Sequence, residues 1–299
     1  MVKTREETTF QVIANVVLIV LTIFALIPMI LLLISSFTSN ESLVQNGYSF
    51  TPAVWSLENY AYVFQSSNKI LNAYGVSFLL TALGTVLGTV ITVMLGYAIS
   101  RPDLPGKGLL TFLVFFTMLF NGGLVPTYMN YCNVFHMKNT FWALLIPSLL
   151  MNGFNVMLVK SYFVTGVPNE ILEAARIDGA GEFTTFLKIS VPMAKPIIAT
   201  IALFIGIAYW NDWNNGYVYL TSATNLYSIQ NLLNRMQQNI QFLVQNSAGL
   251  TSANQGLANI PSEGIRMSMA VLGILPIVVI YPVIQNNFVK GITLGGVKG

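Results

Sequence analysis

Long apolar runs separated by short charged segments dominate this chain. No Asp, Glu, Lys, Arg or His occurs in the windows 8–40, 70–100, 109–135, 139–159, 196–211 or 267–289. A helix needs about 20 apolar residues to cross a hydrocarbon core about 30 Å thick. The windows therefore predict membrane-spanning helices near 12–35, 71–100, 109–131, 139–159, 193–211 and 267–289. The fifth window is the shortest, and Lys195 extends it by snorkelling its ammonium towards the surface. Between the predicted spans lie an outer segment at 36–70, an inner loop at 160–192 and a large outer loop at 212–266.

Composition supports the pattern. Of 299 residues, 54% are hydrophobic and 8% are charged, against about 25% charged in a soluble domain. Such a chain cannot cover a water-soluble surface, which excludes a soluble enzyme, a disordered tail protein and a nucleic-acid binder. The net charge is only +3 and the 14 Lys and Arg are scattered. With the N-terminus inside, the inner segments hold ten of these bases and the outer segments four, so positive-inside bias predicts that both termini are cytoplasmic. The first span is too long for a cleavable signal and no A-x-A site follows it. The single cysteine, Cys132, has no partner for an internal disulfide and reads as a small hydrophobe. The single histidine, His136, has no second ligand at metal spacing.

What the spans lack narrows the chemistry. An ionisable group at mid-membrane costs about 2.5–3.5 kcal/mol, so functional ones stand out, and the predicted spans carry none apart from Lys195 at the margin of the fifth. This argues against a proton-coupled carrier and against an intramembrane hydrolase, and leaves open sodium coupling through backbone carbonyls. The only Gly-Lys pair, Gly106-Lys107, has Arg101 where a phosphate loop requires Gly. No catalytic residue and no metal site is read from the sequence. If the chain is an active transporter, its energy comes from another chain.

The inner loop carries the most specific signal. Pro168 suits a helix start, Glu170 to Arg176 are mostly good helix formers, and Gly179 offers a left-handed closing residue. A second helix is predicted from Glu182 towards Val191, with Phe183, Phe186 and Leu187 sharing one face, and Pro192 and Pro196 precede the fifth span. Asp178 sits at the C-terminal end of the first helix, where the macrodipole disfavours an anion. Its expected compensation is to accept hydrogen bonds from amides that open the second helix.

Glu173-Ala174-Ala175, three residues, Gly179, nine residues, Ile189, one residue, Val191-Pro192 resembles the EAA loop of ABC-importer permeases, with Val191 in place of the usual Leu. Pro168, Ile177-Asp178-Gly179-Ala180 and the C-terminal 287–299 resemble the carbohydrate-uptake branch, in particular the shorter six-helix permease of maltose-type systems found with oligosaccharides and polysaccharide fragments. The resemblance implies an all-α integral membrane protein with six transmembrane helices, the type I permease fold and both termini cytoplasmic. It implies a multi-pass protein of the cell membrane that pairs with a second permease, two ATPase subunits and an extracytoplasmic solute-binding protein. The chain itself binds no cofactor; ATP and magnesium belong to the partner ATPase. By position, Glu173, Ala174, Ala175, Asp178 and Gly179 belong to the ATPase-coupling loop, and Phe183, Phe186 and Leu187 form its packed or docked surface.

The outer loop predicts an amphipathic helix from Leu226 to Leu243, followed by a tip at 246–262 rich in Gly, Ser and Asn. The resemblance implies contact of this loop with the binding protein; the alternative is a cap on the outer vestibule. Sugars are held by aromatic faces and neutral hydrogen-bonding groups, so Asn121, Asn152, Asn155, Trp210 and Asn211 are the candidates for the solute path, with Asn152 and Asn155 expected on one helical face. Helix packing by Asn and membrane-interface anchoring by Trp are the alternatives. Gly84 and Gly88 form a GxxxG suited to close helix packing. An ABC permease for a non-sugar solute and an ion-coupled secondary carrier remain as rival readings, and the latter leaves the inner loop without a purpose.

Overall fold

The computed structural model describes residues 5–65, 67–247 and 263–279. The described residues are helical and contain no β-sheet, only one isolated antiparallel bridge between Thr38 and Trp55. The later part of the expected sixth span, the 248–262 part of the outer-loop tip and the C-terminal motif at 287–299 lie outside them.

The chain divides into two compact units, 1–68 with 235–276, and 69–234 with 277–299. In the first, α1 (Arg5–Ser36) contains the expected first span, and its apolar side chains are exposed on every face. A helix apolar all round is built for lipid or for other chains, not for water. Two short helices follow, α2 (Asn40–Asn46), capped by Ser39, and α3 (Glu58–Phe64). Buried Asn59 ties α3 to the end of α1 by donating to the carbonyls of Ser36 (3.3 Å) and Thr38 (2.8 Å).

The second unit is organised by α4 (Ser67–Ser100), which covers the second expected span. Small residues recur every fourth position along one ridge: Gly84, Gly88, Thr92 and Gly96. A Cβ on Gly84 would stand 2.3 Å from the ring of Tyr209, one on Gly88 3.2 Å from Ile205, and one on Gly96 2.6 Å from Val159. The GxxxG pair thus meets a helix of the same chain, and the ridge continues onto a second helix. Backbones that close leave no room for a methyl group.

The third and fourth apolar runs are not single helices. Instead of one span over 109–131, α5 (Lys107–Leu119) stops at Phe120–Gly123, and α6 (Leu124–Met129), continued by a π-helical turn to Val134, leaves at a bend of 118°. Asn121-Gly122-Gly123 supplies the break: Asn121 Oδ1 accepts from the Gly123 amide at 2.8 Å, a turn that competes with the helix. Instead of one span over 139–159, α7 (Trp142–Leu145) is followed by seven non-helical residues and then α8 (Gly153–Gly166). Pro147 has no amide hydrogen to continue α7, and Ser148 takes φ +65°. A break inside an apolar run leaves carbonyls that must find partners. Tyr209 Oη donates to the Leu145 carbonyl at 2.7 Å and buried Asn215 Nδ2 to the Pro147 carbonyl at 2.9 Å.

In the expected inner loop and just beyond it come α9 (Asn169–Ile177), α10 (Glu182–Thr185) with a π-helical turn over Phe186–Ser190, and α11 (Val191–Met193). The chain then turns by 82° into α12 (Lys195–Asn211), with Pro196 in the first turn. Short α13 (Asn214–Tyr219) and amphipathic α14 (Ile229–Ser247) follow, and α14 runs where the outer-loop helix was expected. Residues 263–279 form a last helix, α15. Among the described residues, two helices (9–36 and 68–100) are long and apolar enough to cross a membrane, and the number is four if each bent pair counts as one span.

Asp212 follows α12 and its Oδ1 accepts from the amides of Asn214 (3.1 Å) and Asn215 (3.3 Å). Burial pushes its carboxyl from an ordinary 3.8 up to about 6, against the opposing pull of those two amides. An acid with a raised native pKa binds its proton more readily when folded. Stability from this group is therefore greatest below the unfolded value and is lost as pH rises through about 6. Asp212→Asn keeps an acceptor for both amides and removes the charge. It is expected to raise thermal stability in detergent at pH 7.5 by at most about 3 kcal/mol, with little change at pH 4. Equal stability of the two proteins at both pH values would show that the carboxylate is solvated.

Candidate functional site: the inner coupling knob

The knob is built from α9, the turn at Gly179 and α10. Pro168 sits at the N-cap of α9 and Glu170 in its first turn. Leu172 and Ala175 face inward and are buried, whereas Ile171, Glu173 and Ala174 are exposed and Ile177 is 86% exposed. The Glu-Ala-Ala triplet is thus divided between the two sides of the helix.

Gly179 takes φ +79°, and the turn around it is a Schellman motif. The Ala180 amide donates to the Ala175 carbonyl at 2.9 Å and the Gly179 amide to the Arg176 carbonyl at 3.0 Å. These bonds satisfy the last carbonyls of α9 and set the angle at which the chain leaves. The expected lock by Asp178 is not formed: among the described residues no hydrogen bond reaches its carboxylate. Arg176 and Glu182 make the lock instead, with Nε and Nη2 donating to Glu182 Oε1 at 3.2 and 2.7 Å. The base stands in the last turn of α9 and the acid in the first turn of α10, each the favoured sign for its end of a helix dipole.

Phe183, Phe186 and Leu187 do not share one surface. Phe186 is 9% exposed and packs at a tilt of 44° on Tyr97, with ring centroids 4.9 Å apart, and Tyr97 in turn meets Phe163 edge-on at 5.3 Å. Phe183 is 68% and Leu187 47% exposed. At about 100° per residue, Phe186 lies about 60° to one side of Phe183 and Leu187 about 40° to the other, so Phe186 and Leu187 stand at opposite edges of the stripe. The core takes Phe186 and leaves the other two outside. An open groove of about 320 Å³ beside Phe183 is lined by Met94, Tyr97, Ala98, Glu182 and Phe186.

Sequence reasoning missed the charges under the knob. Arg101 and Asp103, just beyond α4, join Arg176 and Glu182 in a ring of alternating sign. Arg101 Nη2 lies 3.4 Å from Glu182 Oε1, Arg101 Nε 3.4 Å from Asp103 Oδ1, and Arg176 donates to both Asp103 and Glu182. The Arg176 hydrogen bond holds the Asp103 carboxyl below the usual carboxylate range. Charge is scarce in this chain, so opposite charges assigned to the same inner side are the signal that points to such a ring.

The solute-path candidates divide by local role. Asn121 makes the turn after α5 and is exposed. Asn152 lies outside α8 in extended backbone and caps it, accepting from Phe154 at 2.9 Å and Asn155 at 3.3 Å. It therefore shares no helical face with Asn155, which is buried. Trp210 is buried against Tyr74 and Phe78, with ring centroids 6.4 and 5.2 Å away. Asn211 is exposed at the end of α12.

The comparisons with known proteins agree with this architecture. No protein-family model matches the chain. It is 33% identical over 282 residues to the polygalacturonan/rhamnogalacturonan transport system permease protein YtcP of Bacillus subtilis, covering 94% of this chain and 96% of that protein. It is 32% identical over 274 residues to LplC of Bacillus subtilis, covering 92% and 90% of the two chains. The fold matches a chain in the crystal structure of a bacterial ABC transporter involved in the import of the acidic polysaccharide alginate, with a TM-score of 0.76, 26% identity and coverage of 96% and 99%. The chain belongs to the permease subunits of carbohydrate ABC importers.

Proposed function

We propose that this chain translocates an oligosaccharide or a related polyol, delivered by an extracytoplasmic binding protein, through a pathway shared with a second permease. Two ATPase subunits, holding ATP and magnesium, drive it from the cytoplasmic side of the cell membrane. The chain crosses that membrane six times, with both termini inside, and catalyses nothing itself. The observation that carries this reading is the inner knob, which leaves Ile177, Phe183 and Leu187 in the open around a fixed Gly179 turn. Apolar side chains on a polar inner segment gain by burial in a partner's groove, the helix-in-groove mode of recognition. Glu173 supplies the acidic contact beside them. ATP binding closes the ATPase pair and moves the docked helices, and the spans alternate between inward and outward opening. Loaded binding protein acts by differential affinity for the two states.

Relatives named for polygalacturonan/rhamnogalacturonan and alginate support a polymer fragment as solute. Exposed Asn121 and Asn152 stand at the two breaks in the apolar runs. Irregular backbone at membrane depth survives only where it is buried in protein or meets water, which favours these breaks over the lipid-facing helices as the place of solute contact.

The Phe183→Ser/Leu187→Ser double variant tests docking. It is expected to insert and stay folded but to lose most of the co-purifying ATPase subunit. Phe186→Ala, by contrast, is expected to lower stability by about 3–5 kcal/mol, as truncation of a core aromatic does. Undiminished ATPase recovery with the double variant would remove the knob from the interface.

A further inference from the structure

The ring of Arg101, Asp103, Arg176 and Glu182 does more than hold the knob together. Exposed ion pairs contribute little to stability, and three members of the ring are 42–58% exposed. Only Arg101 is buried, at 10% side-chain exposure, and burying a guanidinium costs free energy unless it is paired. The arrangement is thus a weak source of stability and a strong constraint on geometry. It spends four of the chain's 25 charged residues (14 Lys and Arg plus 11 Asp and Glu) at one junction. What it joins is specific. Asp103 and Arg101 follow α4 directly, while Arg176 and Glu182 close the angle between α9 and α10. The Arg101 guanidinium also lies over the ring of Tyr97 at 5.8 Å, and Tyr97 Oη reaches Glu182 Oε2 at 3.5 Å. Above this junction α4 is meshed with its neighbours at Gly84 and Gly96, where a methyl group would collide with Tyr209 and Val159, and is closely packed at Gly88, so a displacement applied at its inner end is carried along the helix.

We propose that the Arg101–Asp103–Arg176–Glu182 ring hitches the coupling helices to α4 and carries their movement into the membrane domain. The four side chains are positioning residues: they touch neither nucleotide nor solute and fix how far α4 follows α9 and α10. The inference rests on the permease reading above. Asp103 bridges both bases from outside the knob, so neutralising it opens the ring at two of its four contacts and leaves the Arg176–Glu182 lock, the Gly179 turn and the exposed Phe183 and Leu187 in place.

The test uses the complete transporter in vesicles, with Asp103→Asn in this chain and Asp103→Glu as the conservative variant. Three quantities are read: ATPase subunit retained, basal ATP hydrolysis, and solute taken up per ATP hydrolysed. Asp103→Asn is expected to retain the ATPase subunit and to hydrolyse ATP within about twofold of the parent, with uptake per ATP reduced about tenfold. Asp103→Glu, which keeps the charge, is expected to recover most of the loss. Unchanged uptake per ATP in Asp103→Asn overturns the proposal. So does loss of the ATPase subunit, since the ring would then belong to the docking contact. A parent protein with no ATP-dependent uptake would instead defeat the permease reading itself, whatever the variants do.

Discussion

Gly179→Val is expected to abolish uptake while the protein reaches the membrane in normal amount. The glycine holds φ +79°, and a Cβ there would meet nothing within 4 Å. The cost is therefore in the backbone and not in a clash. A left-handed conformation costs a non-glycine residue about 1–2 kcal/mol, and a β-branched one tolerates it least. The chain escapes by turning φ negative, which breaks the Ala180–Ala175 and Gly179–Arg176 bonds of the Schellman turn and re-aims α10 with Phe183 and Leu187. Loss of about 1.4 kcal/mol in docking is a tenfold loss of affinity, and misdirected helices lose more. Gly179→Asn, which tolerates the left-handed region, is expected to retain most activity. The check is ATP-dependent uptake normalised to the amount of chain in the membrane fraction. Full uptake by the valine variant would mean that the turn does not set the docking geometry.

Gly84→Ala produces the second large effect, on the fold. Its Cβ would stand 2.3 Å from the Tyr209 ring. That ring cannot give way freely, because Tyr209 Oη donates at 2.7 Å to the Leu145 carbonyl at the break after α7. Overpacking of this kind costs about 1–3 kcal/mol, and moving the ring also strands a buried carbonyl. Gly84→Leu is expected to prevent the chain from accumulating. Gly75, on the same helix with nothing within 4 Å, is the control: Gly75→Ala is expected to be neutral or to stabilise by up to about 1 kcal/mol through helix propensity. Thermal unfolding in detergent separates the two. Equal stability of Gly84→Ala and Gly75→Ala would show that α4 and α12 are not meshed as described.

These contrasts show which parts of the molecule local sequence can reveal. The Gly179 turn was legible because a good helix former series followed by glycine has one economical reading. The apolar run 70–100 was legible because α4 has no internal rule-breaker. The runs 109–131 and 139–159 contain Asn121-Gly122-Gly123 and Pro147; the first break is closed locally by Asn121, and the second depends on Tyr209 and Asn215, far along the chain, to satisfy the freed carbonyls. The face of Phe183, Phe186 and Leu187 looks single on a helical wheel; only the position of Tyr97, more than eighty residues earlier, decides that Phe186 alone goes inward. Asp178 looked like the lock because it is adjacent to the turn, but the base two residues before it and the acid four residues after it are opposite in sign and reach each other. The charged ring joins residues 101 and 182, and no local pattern links positions so far apart.

Affinity purification of this chain from its native membrane in mild detergent, with identification of everything that co-purifies, tests the central claim most directly. An ABC-importer permease is expected to bring with it a second permease and an ATPase subunit. A homo-oligomer free of any ATPase, recovered from membranes in which the chain still supports uptake, would contradict the account and make an ion-coupled carrier the reading to pursue.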